Sequence, residues 1–164
     1  MPDTPQPEIP PTQQLTIWQQ NLDKSLDAQS DFLHSLWHTQ YDIAMIQEPY
    51  INFQGKLHTT SHWHALYPTL HGHTDRVTRT LTLVNTCLST NSWTQIPIKS
   101  CDIVALQFHG DYGTIRFINI YNDRNHGDVL RELNQYMCNP ASRMCPVEPL
   151  HYVWMGDFNH HSPL

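Results

Sequence analysis

An apolar run changes into a polar turn at residues 153–161, which read Val-Trp-Met-Gly-Asp-Phe-Asn-His-His. Residues 151–155 are apolar, aromatic and β-branched, which predicts a buried strand, and Gly156 allows a sharp turn after it. Asp157 and Asn159 follow, and side chains two positions apart point the same way in extended backbone. A carboxylate and an amide would then project together from a sheet, where they could hold a water molecule or a phosphate. The alternative is an Asx turn that only closes the loop on its own backbone.

The composition predicts one globular domain that is not strongly basic. The chain has 164 residues, of which 39% are apolar, and this suits a single domain with a hydrophobic core. A formal charge of −6 means that any nucleic-acid contact needs a local basic patch or a divalent metal. The four cysteines form no CxxC pair, and neither a signal peptide nor a transmembrane run is visible. These features predict free thiols and an intracellular location, nuclear or cytoplasmic, without a membrane.

The order of predicted elements is that of an α/β chain. Residues 1–14 contain five prolines and predict an extended, poorly ordered leader, so the domain covers 15–164. The predicted strands are 15–19, 41–46, 63–67, 79–84, 102–108, 114–120 and 151–155. One helix follows the first strand, with Ser25 or Asp27 as its cap, and a second helix is predicted to have Asp128 as its cap. The first strand, helix and strand predict a right-handed crossover unit.

Four of the predicted strands each deliver a polar group at or just past their end. These groups are Asn21, Glu48, Tyr121 and the pair of Asp157 and Asn159. An acid, amides and a phenol that converge from several strands are the groups needed to bind a divalent cation and to grip a phosphate. The structural alternatives are that Glu48 is a surface acid and that Tyr121 is an aromatic residue at the edge of the core.

The motifs that contain these residues resemble the endonuclease/exonuclease/phosphatase (DNase I-like) superfamily, which includes the endonuclease domains of non-LTR retrotransposons. The matching motifs are Gln20-Asn21, Gln47-Glu48-Pro49, Asn119-Ile120-Tyr121-Asn122 and Gly156-Asp157-Phe158-Asn159. Tyr50 after the second motif, and a tail with His161 and Pro163 after the fourth, are most similar to the retrotransposon branch. The resemblance implies a four-layer α/β/β/α sandwich of the α/β (α+β) class.

The resemblance also implies a reaction and a cofactor. Members of this superfamily hydrolyse phosphodiesters with a water molecule that attacks in line, and they use Mg²⁺, with Mn²⁺ as an alternative. Glu48 would be the principal metal ligand, because a hard cation prefers carboxylate oxygen, and Asn21 would help to hold the metal or the phosphate. The partners implied are DNA and, in an intact element, a reverse transcriptase domain.

The remaining site residues receive their roles from the same resemblance. Asp157 would orient and deprotonate the attacking water, and Asn159 would fix the scissile phosphate. Tyr121 would stabilise charge on the phosphoryl oxygens, with Asn122 beside it on the phosphate. His161 is expected to structure the loop. The catalytic set is therefore Asn21, Tyr121, Asp157 and Asn159.

The resemblance ends before the last motif of the family. Members continue into a further strand and a loop with an Asp-His pair, so the sequence predicts a truncated domain whose second sheet is incomplete. General acid or base help is worth roughly two to four orders of magnitude, which predicts very weak activity for this chain. Two alternatives stay open. One is a non-catalytic remnant that binds metal, nucleic acid or a partner protein, and the other is a small-molecule phosphatase of the same superfamily.

Overall fold

A computed structural model describes residues 14–125 and 127–159, which form two β-sheets and two α-helices. Most of the predicted leader, together with His161 and Pro163, lies outside these residues. The elements are β1 (Ile17–Asn21), α1 (Leu26–Ser35), β2 (Ile43–Gln47), β3 (Trp63–Leu66), β4 (Thr80–Asn85), β5 (Trp93–Ile96), β6 (Ile103–Gly110), β7 (Gly113–Tyr121), α2 (Asp128–Cys138), a 3₁₀ helix (Pro140–Arg143) and β8 (Leu150–Asp157). Neither α-helix in the described ranges is long and apolar enough to cross a membrane.

Each sheet contains four strands and mixes parallel with antiparallel pairs. The first sheet has the order β1-β2-β4-β3, and only β1 and β2 run parallel in it. The second sheet has the order β5-β6-β7-β8, and only β7 and β8 run parallel in it. In both sheets the parallel pair is separated along the chain by a segment that contains a helix, as a crossover connection requires.

The two sheets pack face to face, and each carries one helix on its outer side. Alternate residues of a strand point to opposite faces, and β2 shows the consequence. Ile43 and Met45 enter the core between the sheets, while Ala44 and Ile46 pack with Phe32 of α1. In the second sheet, Ile118 and Ile120 of β7 pack against Val129 and Leu133 of α2 in the same way. The four-layer α/β/β/α sandwich predicted from the sequence is confirmed.

Ser25 is confirmed as the cap of α1, because its Oγ accepts a hydrogen bond of 3.1 Å from the backbone N–H of Ala28. The start of α2 differs from the prediction. Gly127 is its N-cap without a side-chain hydrogen bond, and Asp128 lies in the first turn, where its carboxylate pairs with Arg131. An acidic side chain in the first turn still stabilises the helix through the helix dipole.

Two strands differ from their predictions. β5 was missed, because four residues that read Trp-Thr-Gln-Ile carry too little periodicity to stand out without their partner β6. The last strand was predicted to be buried, and this is wrong. β8 pairs only with β7 among the described strands, and Val153 and Trp154 are 37% and 40% exposed. An apolar run gives the same signal in a central strand and at a sheet edge, so only the topology distinguishes the two.

Candidate active site

The side chains predicted to form the site come from four strand ends at one end of the sandwich. Asn21 and Gln47 are register partners at the ends of the parallel strands β1 and β2, and Glu48 follows Gln47 directly. Tyr121 and Asp157 are register partners at the ends of the parallel strands β7 and β8. Each sheet therefore brings two of the predicted residues, Asn21 and Glu48 in one and Tyr121 and Asp157 in the other, to the same end of the sandwich.

Two hydrogen bonds join the two sheets at this end of the sandwich. The amide nitrogen of Asn21 donates to Asp157 Oδ2 at 3.0 Å, and the phenol of Tyr121 donates to Glu48 Oε1 at 2.8 Å. With the two strand registers, these contacts close a ring of Asn21, Asp157, Tyr121 and Glu48. The residues are separated by up to 136 positions in the chain, and their meeting depends on the packing of the two sheets.

A buried hydrogen-bond network between the two sheets lies directly beneath this ring. Gln47 donates through Nε2 to Asn119 Oδ1 at 2.6 Å, and the amide nitrogen of Asn119 donates to the carbonyl of Leu81 at 2.9 Å. Both Gln47 and Asn119 are fully buried. A satisfied polar network in a core of low dielectric fixes one arrangement of its members, and so it sets the spacing between β2 and β7 from which Glu48 and Tyr121 project.

The backbone around the site is unusual. Four described residues other than glycine have positive φ, namely Asp23 (49°), Lys24 (55°), Glu48 (48°) and Asn159 (43°). All four flank or belong to the ring. This conformation costs on the order of 1–3 kcal/mol for each residue and tends to occur at functional sites, where the surrounding structure enforces it. The clustering supports a functional role for this end of the sandwich and is invisible in the sequence.

Arg79 is a residue of the site that sequence analysis missed. Its guanidinium lies 4.9 Å from the centre of the Tyr121 ring, bonds Asp102 through Nη2 at 2.8 Å and pairs with Asp123 through Nη1. Burial alone would lower the pKa of Arg79, but the bonds to the two carboxylates outweigh it and raise the pKa above its ordinary value. Arg79 is therefore a permanent cation against the phenol. An arginine just before a strand gives no sequence signal of this kind.

Tyr121 is held as a neutral phenol. Burial and the hydrogen bond to the Glu48 carboxylate raise the pKa of Tyr121 to about 12, although the nearby Arg79 cation acts in the opposite direction. The phenol keeps its proton throughout the physiological pH range, and its single O–H is directed at Glu48 in this structure.

Lys24 is the second residue of the site that sequence analysis missed. Its Nζ lies 3.5 Å from Glu48 Oε1. Lys24 also lines an open groove of about 540 Å³ beside the ring, together with Arg76, Arg79 and Asp123. The charged side chains that line the groove are three cations, Lys24, Arg76 and Arg79, and two acids, Asp123 and Asp128, so its charge is mixed. A single lysine in a turn has no distinctive pattern, and only its tertiary partner identifies it.

Asp157 takes part in both of the arrangements considered from the sequence. Its Oδ1 accepts a hydrogen bond of 3.0 Å from the backbone N–H of Asn159, which is the Asx turn. Its Oδ2 faces Asn21 across the two sheets. The loop-closing role and the projection into the ring coexist, because the carboxylate has two oxygens and each makes one of these contacts.

The amides of Asn122 and Asn159 are directed at the loop in this structure. Asn159 donates through Nδ2 to the carbonyl of Asn122 at 2.8 Å, and Asn122 donates through Nδ2 to the carbonyl of Phe158 at 2.8 Å. Asn159 Oδ1 also accepts from Arg124 Nε at 3.1 Å. Asn122 Oδ1 is buried without a hydrogen-bond partner in the described part of the chain. The phosphate-binding roles of both residues stay predictions, and His161 lies outside the described residues.

The carboxylate and carboxamide oxygens of the ring are suitable ligands for a hard cation. Glu48 Oε1 is engaged by Tyr121 and Lys24, while no described residue bonds Oε2. Within 14–125 and 127–159 no group of three or more His, Cys, Asp or Glu is arranged to hold a metal ion. Mg²⁺ differs from zinc in this respect, because it commonly uses one or two carboxylates and keeps several of its waters. Glu48, with the Asn21 carboxamide nearby, is compatible with that kind of site.

Comparison with known proteins places the fold. The endonuclease domain of TRAS1, a telomere-specific non-LTR retrotransposon, matches with a TM-score of 0.64 and 18% identity, over 91% of this chain and 61% of that domain. A humanized D. rerio TDP2 with 14 mutations matches with a TM-score of 0.53 and 13% identity, over 90% of this chain and 63% of that one. This chain therefore spans less than two thirds of the length of either protein.

No protein-family model and no curated protein sequence matches the chain. The fold is consequently established by architecture and not by sequence identity. With two mixed sheets face to face and a helix outside each, the chain has the DNase I-like fold that its motifs predicted.

Proposed function

We propose that this chain is a nuclease-type phosphodiesterase domain that requires Mg²⁺, with Mn²⁺ as an alternative, and that its substrate is DNA. The observation that carries the proposal is the ring of Asn21, Asp157, Tyr121 and Glu48 at one end of the sandwich. The groove beside it is lined by Lys24, Arg76 and Arg79 together with two acids, and cations of this kind contact the phosphates of a nucleic-acid backbone. The similarity to a retrotransposon endonuclease domain supports a retroelement origin, with a reverse transcriptase domain as the partner in an intact element.

The proposed chemistry assigns one task to each member of the ring. Asp157 accepts a hydrogen bond from Asn21, which fixes the carboxylate so that it can orient a water molecule and take its proton. Glu48 would hold Mg²⁺ with help from Asn21, and a bound Mg²⁺ would polarise a phosphoryl oxygen as a Lewis acid. Tyr121 remains a hydrogen-bond donor, and its action on a phosphoryl oxygen requires that its bond to Glu48 be exchanged.

Asn122 and Asn159 would contribute through the loop that carries them. Their hydrogen bonds to the carbonyls of Phe158 and Asn122 hold the 157–159 turn against the end of β7. The second amide hydrogen of Asn159 has no partner among the described residues and is the one available for a phosphate oxygen. We retain this residue as the phosphate contact, with Asn122 in support.

The proposal is tested by relaxation of supercoiled plasmid in the presence of Mg²⁺. The proteins compared are this chain, Glu48→Gln, Asp157→Asn and the control Asp31→Asn, which changes an exposed acid on α1. Because the chain spans 61% of the TRAS1 domain, the same set is prepared with a homologous C-terminal extension. We expect nicking that is weak in the chain, stronger in the extended form and reduced roughly 100- to 10,000-fold by Asp157→Asn.

Three results separate the competing functions. Nicking that depends on Glu48 and on Mg²⁺, and that Asp31→Asn leaves unchanged, supports the endonuclease. A folded, extended chain that releases phosphate from an inositol phosphate but leaves plasmid intact supports the small-molecule phosphatase. A folded, extended chain that is inactive on both substrates contradicts an enzymatic role and favours the non-catalytic remnant.

A further inference from the structure

We propose that Lys24 competes with the divalent cation for Glu48 and, once displaced, binds a phosphate in the adjacent groove. The inference rests on the proposed function and deepens it, because it makes Lys24 the residue that couples cation binding to phosphate binding. The carboxylate of Glu48 then has two alternative partners, the Lys24 ammonium at 3.5 Å and a divalent cation.

The backbone places Lys24 at Glu48 through a turn that is fixed at several points. Asn21 Oδ1 accepts from the N–H of Asp23 at 2.8 Å, and the N–H of Lys24 donates to the carbonyl of Glu48 at 2.8 Å. Asp23 and Lys24 both have positive φ, which is costly for residues other than glycine. This turn conformation holds Lys24 beside the carboxylate of Glu48.

The charges in the groove distinguish Lys24 from its basic neighbours. Arg79 is paired with Asp102 and Asp123, and Arg76 is paired with Asp102, with further carboxylates of α2 within 4.0 Å. The carboxylate paired with Lys24 in the described structure is Glu48. A divalent cation on Glu48, even one bound through Oε2, would repel the Lys24 ammonium and offset the charge of the carboxylate, so Lys24 loses this partner while the two arginines keep theirs. Lys24 is thus the groove cation that becomes available to a phosphate.

The exposure of Lys24 allows this exchange. Its side chain is 56% exposed, whereas that of Glu48 is 13% exposed. An exposed ammonium leaves an ion pair at small cost, since such pairs are weak and lysine binds phosphate as a mobile point charge. Lys24 should therefore weaken the binding of the cation alone and strengthen the binding of phosphate to the cation-loaded chain. If the cation raises the affinity for phosphate by freeing Lys24, thermodynamic linkage requires phosphate to raise the affinity for the cation by the same factor.

The test measures binding and not turnover. Isothermal titration calorimetry is carried out with Mg²⁺ alone, and then with inorganic phosphate at saturating Mg²⁺. The proteins are the wild-type chain, Lys24→Met, Lys24→Arg and Glu48→Gln. Lys56→Met is the matched control, because it removes one exposed lysine charge outside the groove and reports the effect of net charge alone.

We expect Lys24→Met to bind Mg²⁺ about two- to fivefold more tightly than the wild-type chain, which is the strength of an exposed ion pair. The same variant should bind phosphate more weakly in saturating Mg²⁺, and Lys24→Arg should restore most of that affinity. Lys56→Met should show neither change beyond the small effect of net charge.

The outcomes separate this inference from the function on which it rests. If Mg²⁺ binding depends on Glu48 but Lys24→Met behaves as Lys56→Met does in both titrations, Lys24 has no coupling role and the inference is overturned. If the wild-type chain binds no Mg²⁺, or Glu48→Gln binds it as tightly as wild type, the cation site itself is contradicted and both proposals fall.

Discussion

Gly156 occupies a position that no residue with a side chain can share. Its φ is +135°, and a Cβ built there would lie 1.9 Å from the carbonyl oxygen of Ile120 on the neighbouring strand β7. Ile120 and Gly156 are register partners, so the close approach belongs to the pairing that brings Tyr121 beside Asp157. The glycine of the Gly-Asp motif therefore serves the geometry of the site through backbone proximity.

Gly156→Ala is expected to lower the free energy of unfolding by about 3 kcal/mol, because the methyl group must push β8 away from β7. Urea unfolding followed by tryptophan fluorescence measures the change. The control is Gly127→Ala, since a Cβ at Gly127 meets no atom within 4 Å. A loss at Gly156 no larger than that at Gly127 would contradict the close approach.

The raised pKa of Tyr121 predicts that the free energy of unfolding decreases at alkaline pH. Its pKa rises from 10.0 to about 12 on folding, so the folded chain holds the phenolic proton more tightly than the unfolded chain. The stabilisation is fully present below pH 10 and is lost as the pH rises through 12. Below pH 10 both states keep the proton, so this group causes no change of stability with pH there.

The measurement is urea unfolding of the wild-type chain and Tyr121→Phe at pH 9 and at pH 11.5. We expect the wild-type chain to lose more stability between these pH values, because phenylalanine has no proton to lose. The difference between the two proteins removes the contributions of the other tyrosines and of the lysines. Equal losses in both proteins would show that the phenol is not held protonated in the folded chain.

At the scale of elements, Arg79 links the ends of three strands, β4, β6 and β7, at the site. It precedes β4, pairs with Asp102 at the start of β6 and with Asp123 after β7, and lies against Tyr121. The side chain of Asp102 is 1% exposed, so its charge depends on arginine partners. Arg76 contacts the same carboxylate at 3.3 Å from a more exposed position, with 39% of its side chain accessible.

Arg79→Met should destabilise the chain by about 3 kcal/mol, because it leaves a buried carboxylate without its closest cation. Arg76→Met is the matched control and should cost less than about 1 kcal/mol, since it removes a more exposed ion pair. Adding Asp102→Asn to Arg79→Met removes the buried charge and should recover part of the loss. Urea unfolding of the four proteins completes the comparison, and equal costs for the two arginines would contradict the assignment.

At the scale of the whole molecule, the two sheets are joined through a hydrophobic core that contains a buried hydrogen-bond network centred on Asn119. Asn119 on β7 is completely buried, accepts from Gln47 on β2, and donates to the carbonyl of Leu81 on β4. The contact orients one sheet relative to the other, which apolar packing alone does less specifically. It lies under the ring, so the register of the whole sandwich and the geometry of the site depend on the same residue.

Asn119→Ala is expected to cost about 2–4 kcal/mol, because it leaves Gln47 and the carbonyl of Leu81, two buried groups of the first sheet, without their hydrogen bonds to the second sheet and opens a small cavity. The transitions seen by far-ultraviolet circular dichroism and by tryptophan fluorescence should shift together, since the residue acts on both sheets. Asn91→Ala, at an exposed loop position, should change stability by less than about 0.5 kcal/mol. Separate shifts of the two probes would indicate that the sheets unfold independently.

Much of the fold was open to prediction because its signals are local. The continuous apolar run of β2, the hairpin of β6 and β7, and the cap at Ser25 are set by residues close together in the chain. The polar residues at the strand ends, Asn21, Glu48, Tyr121 and Asp157, could be predicted from the sequence for the same reason. β5 and the exposure of β8 were not, because a four-residue strand and a sheet edge are defined by their neighbours in space.

The amino-acid sequence by itself determined the elements, the DNase I-like motifs and the polar residues placed at the strand ends. Only the tertiary structure decided which of those residues touch, because the contacts of Asn21 with Asp157 and of Tyr121 with Glu48 span 136 and 73 positions. It also decided the ion-pair partners of Lys24 and Arg79, which local sequence does not specify. Pairing across two sheets depends on packing and register, which are properties of the whole chain.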